Sequence, residues 1–130
     1  MKTQLINLFN SQYPLRKIFR RLISRLRLGS YSFRLSIGAL PRPNYAYVVY
    51  HAAMLGKSLG HKNISVIEFG VAGGNGLKIL EQHALEIENI VDVKIDIYGF
   101  DTGKGLPKPL DFRDLMYHWK EGFFLWICHF

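Results

Sequence analysis

Between Pro14 and Leu28 the apolar residues Leu15, Ile18, Phe19, Leu22, Ile23 and Leu26 recur at helical spacing, and Arg16, Lys17, Arg20, Arg21 and Arg27 fill the intervening positions. This predicts a basic amphipathic helix, with Pro14 suited to its first turn and Gly29 to the position just past its end. Residues 29 to 43 are rich in Gly, Ser and Pro and predict a linker, with a short extended piece around Tyr31 to Ile37. Asn44 is placed to cap a further helix that runs through Tyr45, His51 and Leu59 and stops at Gly60. The pattern then changes: Ile64 to Phe69 is short, β-branched and bounded by Asn63 and Gly70, which predicts a buried parallel strand. Asn75 to Glu88 carries Leu77, Leu80, Ala84, Leu85 and Ile87 among polar residues, a helix with one apolar face, and Val91 to Phe100 reads as a second strand. Strand, glycine-rich loop, helix and strand make a β-α-β unit, whose crossover is nearly always right-handed.

Charge divides the chain sharply. Its 130 residues suit one domain with a modest core, and the net charge is +7. Residues 1 to 67 hold eleven Lys or Arg and no Asp or Glu, whereas residues 68 to 130 hold six against ten. The basic half implies an anionic partner: a phospholipid surface, a nucleic acid or a phosphorylated substrate. For the amphipathic helix two uses stay open, adsorption to an anionic membrane face or docking on its own domain with the charges solvated. An organelle transit peptide fits poorly, since Lys2 is the sole early charge. The single cysteine, Cys128, excludes an internal disulfide and has no companions at metal-site spacing. His51 likewise lacks a second ligand at i+3 or i+4. No stretch approaches the roughly 18 to 20 apolar residues of a membrane-spanning helix. These features predict a cytoplasmic chain, associated with a membrane at its periphery where the basic helix engages one.

The candidate chemistry lies in Glu68-Phe69-Gly70-Val71-Ala72-Gly73-Gly74-Asn75-Gly76. A strand that ends in glycines and turns into a helix gathers bare backbone N–H groups and the positive end of the helix dipole at one point. The dinucleotide spacing G-x-G-x-x-G is not met, because the glycines fall at 70, 73, 74 and 76 and position 79 is Ile. A phosphate-cradling P-loop is excluded as well, since Leu77 follows Gly76 where Lys is required. What remains is an acidic strand tip followed by Gly70, small Ala72 and Gly74 in alternation, which resembles the acidic-x-G-x-G-x-G loop of the class I S-adenosylmethionine-dependent methyltransferases. Ala72 departs from the commonest pattern. The alternative is a glycine-rich turn that serves tight packing only.

Asp101 is the second anchor. An acidic residue just past the second strand lies beside the first loop and can accept both hydroxyls of a ribose. Its separation from Gly70, 101 − 70 = 31 residues, exceeds the roughly 20 of dinucleotide folds. The alternative is a turn residue ahead of Thr102-Gly103. The run Tyr98-Gly99-Phe100-Asp101-Thr102-Gly103-Lys104-Gly105-Leu106-Pro107 is similar to the F-D-[ST]-x-x-G-L-P segment of bacterial sugar and macrolide O-methyltransferases. The two segments together carry the resemblance over residues 44 to 124.

The resemblance implies an α/β, Rossmann-like fold, present in part as an incomplete parallel sheet preceded by N-terminal helices. It implies S-adenosylmethionine as cofactor, bound by Glu68, Gly70, Val71, Ala72, Gly74, Asn75, Gly76, Asp101 and Thr102. The methyl acceptor would be a small molecule or glycan, and no residue is assigned as the catalytic base. In that family the first strand also pairs with the fourth, which here would lie beyond residue 130. The chain is thus expected to be an N-terminal part: basic extension and linker over 1–43, cofactor domain over 44–124 and an atypical apolar tail over 125–130. A bare edge on the strand ending at Glu68 predicts self-association.

Three further expectations complete the reading. Asp114 and His118, four apart, would share a helix face if that segment were helical, but no third metal ligand is evident. Tyr117, Trp119, Phe123 and Phe124 are expected to cap the cofactor cleft. The competing function is a peripheral membrane or anion-binding module that works through the Arg-rich helix, while nucleic acid is disfavoured because no reader motif accompanies the basic residues.

Overall fold

A computed structural model describes residues 14–125. Cys128 and the apolar tail beyond Leu125 lie outside the described residues. The chain is mixed α/β and divides into two compact units, Met1–Ala52 and Ala53–Phe130.

The first unit contains α1 (Pro14–Leu26), α2 (Tyr31–Ser36) and the start of α3 (Pro43–Ser58). The chain leaves α1 through left-handed Arg27 and Gly29, so the helix stops two residues before the expected Leu28. The extended piece expected around Tyr31 to Ile37 is instead the helix α2. Alternation of Tyr31, Phe33 and Leu35 with Ser32, Arg34 and Ser36 imitates a strand, but Ser30 caps the turn by accepting the Phe33 N–H at 3.2 Å. Tyr31 and Arg34, three apart, are the buried pair, and the Arg34 guanidinium lies 5.8 Å from the Tyr31 ring centre. α3 begins at Pro43 rather than behind an Asn44 cap, since Pro at the first helical position gives up only an N–H that has no partner in the helix. The Arg42 carbonyl receives the first bonds, from the N–H groups of Tyr45 and Ala46. His51 is exposed on α3 beside the rings of Tyr47 and Tyr50.

The second unit is a β-α-β arrangement. β1 (Asn63–Phe69) and β2 (Lys94–Phe100) form a parallel pair in register from Asn63–Lys94 to Phe69–Phe100, joined by α4 (Asn75–Val91). On α4 the buried residues are Gly76, Leu80, His83, Ala84, Ile87 and Val91, a single face at helical period. His83 takes the place expected for Leu85, which is 59% exposed. α4 runs to Val91 and closes on left-handed Asp92, so β2 starts at Lys94 and not at Val91. Two side chains fix that corner: Lys57 donates to the Val91 carbonyl at 2.7 Å, and Glu88 accepts the Ile95 N–H at 2.8 Å. Lys57 thereby places a cation at the negative end of the α4 dipole. Gly56 permits close approach of Ile64, whose methyl would lie 2.8 Å from a Cβ there.

β1 is not buried on both faces as its apolar run predicts. Ile64, Val66 and Glu68 are half-buried on one face, and Ile67 and Phe69 are exposed on the other, Phe69 by 79%. The register puts Tyr98 and Phe100 beside them, and no described strand extends the sheet past either edge.

Ile87 is fully buried. Ile87→Ala should therefore cost about 2–5 kcal/mol in urea unfolding, whereas Leu85→Ala on the exposed side should stay within about 0.5 kcal/mol. Equal costs would contradict the observed face of α4.

Candidate functional site

Parallel pairing brings the C-terminal ends of both strands to one edge, and the loops that leave them form the site. The Gly70 N–H donates to the Phe100 carbonyl at 2.9 Å, carrying the ladder one step past β1. The loop then turns through left-handed Gly70, Ala72 and Gly74, with the Gly74 N–H closing on the Val71 carbonyl at 3.0 Å. Gly74 is the residue that opens α4. A Cβ at Gly70, Gly73 or Gly74 would meet nothing within 4 Å, so packing does not explain these glycines. Two of them require positive φ, a conformation costly for other residues.

Asp101 fastens this loop to the next. One carboxylate oxygen accepts the Ala72 N–H at 2.9 Å and the other accepts the Gly103 N–H at 2.7 Å. The Ala72 bond and then the Gly103 bond hold the Asp101 carboxyl below its ordinary value, since both favour the charged form. Thr102 adds a smaller turn, accepting the Lys104 N–H at 3.2 Å. Beyond it, the Leu106 N–H donates to the Phe123 carbonyl at 2.8 Å, and the Gly122 N–H to the Leu106 carbonyl at 2.9 Å. Gly105 is needed for that return, because a Cβ there would lie 2.6 Å from the Phe123 carbonyl oxygen.

These loops bound a cleft of about 780 Å³ lined by Phe69, Gly70, Ala72, Phe100, Asp101, Thr102, Gly105, Leu106 and Phe124. Its volume lies within the range of small-ligand sites. Phe69 and Phe100 stack there, ring centres 5.6 Å apart, and Asp101 sets a carboxylate beside them. A second hollow of about 500 Å³ shares Leu106 and Phe124 and adds Pro107 to Leu110, Asp114 and Trp119.

Of the residues expected to hold a cofactor, Gly70, Ala72, Asp101 and Thr102 line the cleft. Glu68, Val71, Gly74, Asn75 and Gly76 do not. Glu68 points to the helix-covered face, where its carboxylate occupies the space a Cβ on Gly76 would need. Gly76 is thus a packing glycine. Val71 is buried, and Asn75 is exposed at the first turn of α4. Among the aromatic residues expected as a cap, Phe124 borders both hollows and Trp119 the second, while Tyr117 and Phe123 line neither.

Asp114 and His118 do not share a helix face. The helical turn there is the short η1 (Phe112–Asp114), ended by left-handed Leu115. Asp114 instead accepts the Leu110 N–H at 2.7 Å, and Asp111 caps the turn and pairs with Arg113, whose side chain is the main cause of its lowered pKa. Among the described residues no three His, Cys, Asp or Glu side chains gather as a metal site.

Both placements read for Asp101 in the sequence, beside the first loop and in a turn ahead of Thr102-Gly103, are present, whereas the bond it accepts from the Ala72 N–H carried no sequence signal. No family model matches the chain, and no curated protein or solved structure does either.

A carboxylate with a depressed folded-state pKa stabilises above the unfolded value and loses that contribution as pH falls through the folded value. The Asp101 carboxyl carbon should accordingly titrate in NMR with a midpoint below 3.8. The Ala72 amide shift should move in the same pH window. A midpoint at or above 3.8 is incompatible with the joint.

Proposed function

We propose that the cleft binds S-adenosylmethionine, and that the unit containing it is the cofactor-binding part of a Rossmann-like O-methyltransferase. The observation that supports this most is the Asp101 joint, which brings the glycine loop after β1 and the carboxylate that follows β2 to one cleft at the carboxyl ends of parallel strands. Ligands of open parallel α/β sheets bind at that edge.

The residues present fit the cofactor at several points. Gly70 lines the cleft with open space where a Cβ would stand. A carboxylate offers about four lone-pair positions, and the Ala72 and Gly103 amides take two of them. Asp101 therefore keeps capacity for the two ribose hydroxyls. Phe69 and Phe100 supply an apolar wall for an adenine or for the carbon chain at sulfur. Glu68 enters through the loop it shapes at Gly76 and not by direct contact.

When bound, the cofactor supplies an electrophilic methyl group on a sulfonium. The protein's contribution is positioning: the acceptor hydroxyl must approach that methyl in line, which converts binding energy into rate. The second hollow, apolar at Leu106, Pro107, Leu110 and Trp119, adjoins the cleft where the acceptor would enter. A small-molecule or glycan hydroxyl is the acceptor proposed.

Calorimetric titration of the chain with S-adenosylmethionine should give saturable binding, and NAD should give none. Gly70→Ala places a methyl at the wall of the cleft in a left-handed position. It should lose about 1–2 kcal/mol of stability and weaken cofactor binding at least about tenfold. A folded chain that shows no cofactor binding ends the proposal.

A further inference from the structure

α1 is packed by the side opposite to its apolar stripe. At about 3.6 residues per turn, Arg16, Arg20, Ile23 and Ser24 fall on one face and Leu15, Ile18, Phe19, Leu22 and Leu26 on the other. The first set is buried or half-buried, Ile23 at 4% exposure. The second set is 50 to 62% exposed. Arg20 fixes the orientation by donating to the Gly38 carbonyl through Nε at 3.1 Å and also through Nη2. Rolling α1 over to bury its apolar stripe would break that joint.

An amphipathic helix normally turns its apolar face to the core. Here a polar seam with one isoleucine does the packing, and five large apolar side chains stand outward in a row. Lys17, Arg21 and Arg25 are exposed along one border of the row. No acidic residue occurs anywhere from Met1 to Ile67. The surface thus offers an apolar stripe edged by cations with no acidic residue in its own half of the sequence to offset them.

We propose that this face of α1 adsorbs to an anionic phospholipid bilayer, lying in the plane of the interface. The two halves of the pattern name the occupant together. Phosphate headgroups match Lys17, Arg21 and Arg25, and acyl chains just beneath them match Leu15, Ile18, Phe19, Leu22 and Leu26. A nucleic acid would use the cations and leave the stripe wet, and a second copy of this helix would oppose like charges. No described helix is long and apolar enough to cross a membrane. The attachment is therefore at the surface.

The test is co-sedimentation of the full chain with phosphatidylcholine vesicles and with vesicles that also contain phosphatidylglycerol. Binding is expected to the anionic vesicles only, and to fall as salt rises. Two variants separate the contributions: Lys17→Gln with Arg21→Gln and Arg25→Gln, and Ile18→Gln with Leu22→Gln. The charge variant should bind about a hundredfold more weakly, from roughly fivefold per cation. The stripe variant should lose binding although its net charge is unchanged. Both alter exposed side chains and spare Arg20 and Ile23, so circular dichroism melting should stay near that of the parent. Equal binding to neutral vesicles overturns the proposal, as does unimpaired anionic binding by the stripe variant, which would identify a purely electrostatic polyanion site. Vesicle-free self-association abolished by the stripe variant would assign the face to a second copy and overturn it also.

Discussion

Two parallel strands in register must send their chains out at the same edge, and everything at the candidate site follows from that constraint. The β1–β2 pair ends level at Phe69 and Phe100, so the loops that follow begin side by side. Each loop contains left-handed residues, Gly70, Ala72 and Gly74 in the first and Gly103 and Gly105 in the second. Asp101 ties the two together with one side chain, accepting an amide from each loop. The carboxylate is exposed, so the joint owes its strength to charge-assisted hydrogen bonds and not to burial. The cleft is consequently set by backbone, with Phe69 and Phe100 as its apolar wall.

The same parallel constraint explains what the sheet leaves uncovered. A crossover helix can cover only one face; α4 lies against β2, where Ile95 and Ile97 are buried or half-buried, and on the same face Ile64 of β1 meets Gly56 of α3. Ile67, Phe69, Tyr98 and Phe100 are left exposed on the other side. Near the strand ends that face merges with the cleft, whereas toward the strand starts it carries Asn63, Ser65, Lys94 and Asp96. Apolar character thus increases along the sheet toward the site. A ligand that covered Phe69 and Phe100 would remove exposed apolar surface from the β-α-β unit, which links binding to stability in the ordinary sense of mass action.

Legibility in the sequence followed how local the determinants were. The β-α-β order was readable because the 2-residue and 3.6-residue periods are carried by neighbours in sequence, and Gly70 and Gly74 marked the turn between them. Strand burial was not readable, since Ile64 to Phe69 has the composition of a buried strand whether or not a second helix covers it. α2 was misread for a related reason: six residues hold too few periods to separate alternation from helix, and the Ser30 cap decides. Within the glycine loop, the sequence could not tell Gly76, fixed by contact with Glu68, from Gly70, which faces open space. Only the neighbouring atoms distinguish a glycine held by packing from one that faces open space.

The inverted α1 shows the limit of amphipathicity as a guide to packing. The period located the helix, but it could not say which face would dock, because docking was settled by a residue far along the chain. Gly38 lies 18 positions from Arg20 and presents a carbonyl in a left-handed turn that only a small residue makes comfortable. One guanidinium bonded there through two nitrogens outweighs the pull of a stripe that would need a matching apolar surface to bury it. With Ile23 alone sunk into the seam, burying the stripe instead would turn Arg20 out to solvent and lose its bonds to the Gly38 carbonyl. Polar geometry, and not hydrophobic area, therefore decides how this helix is displayed.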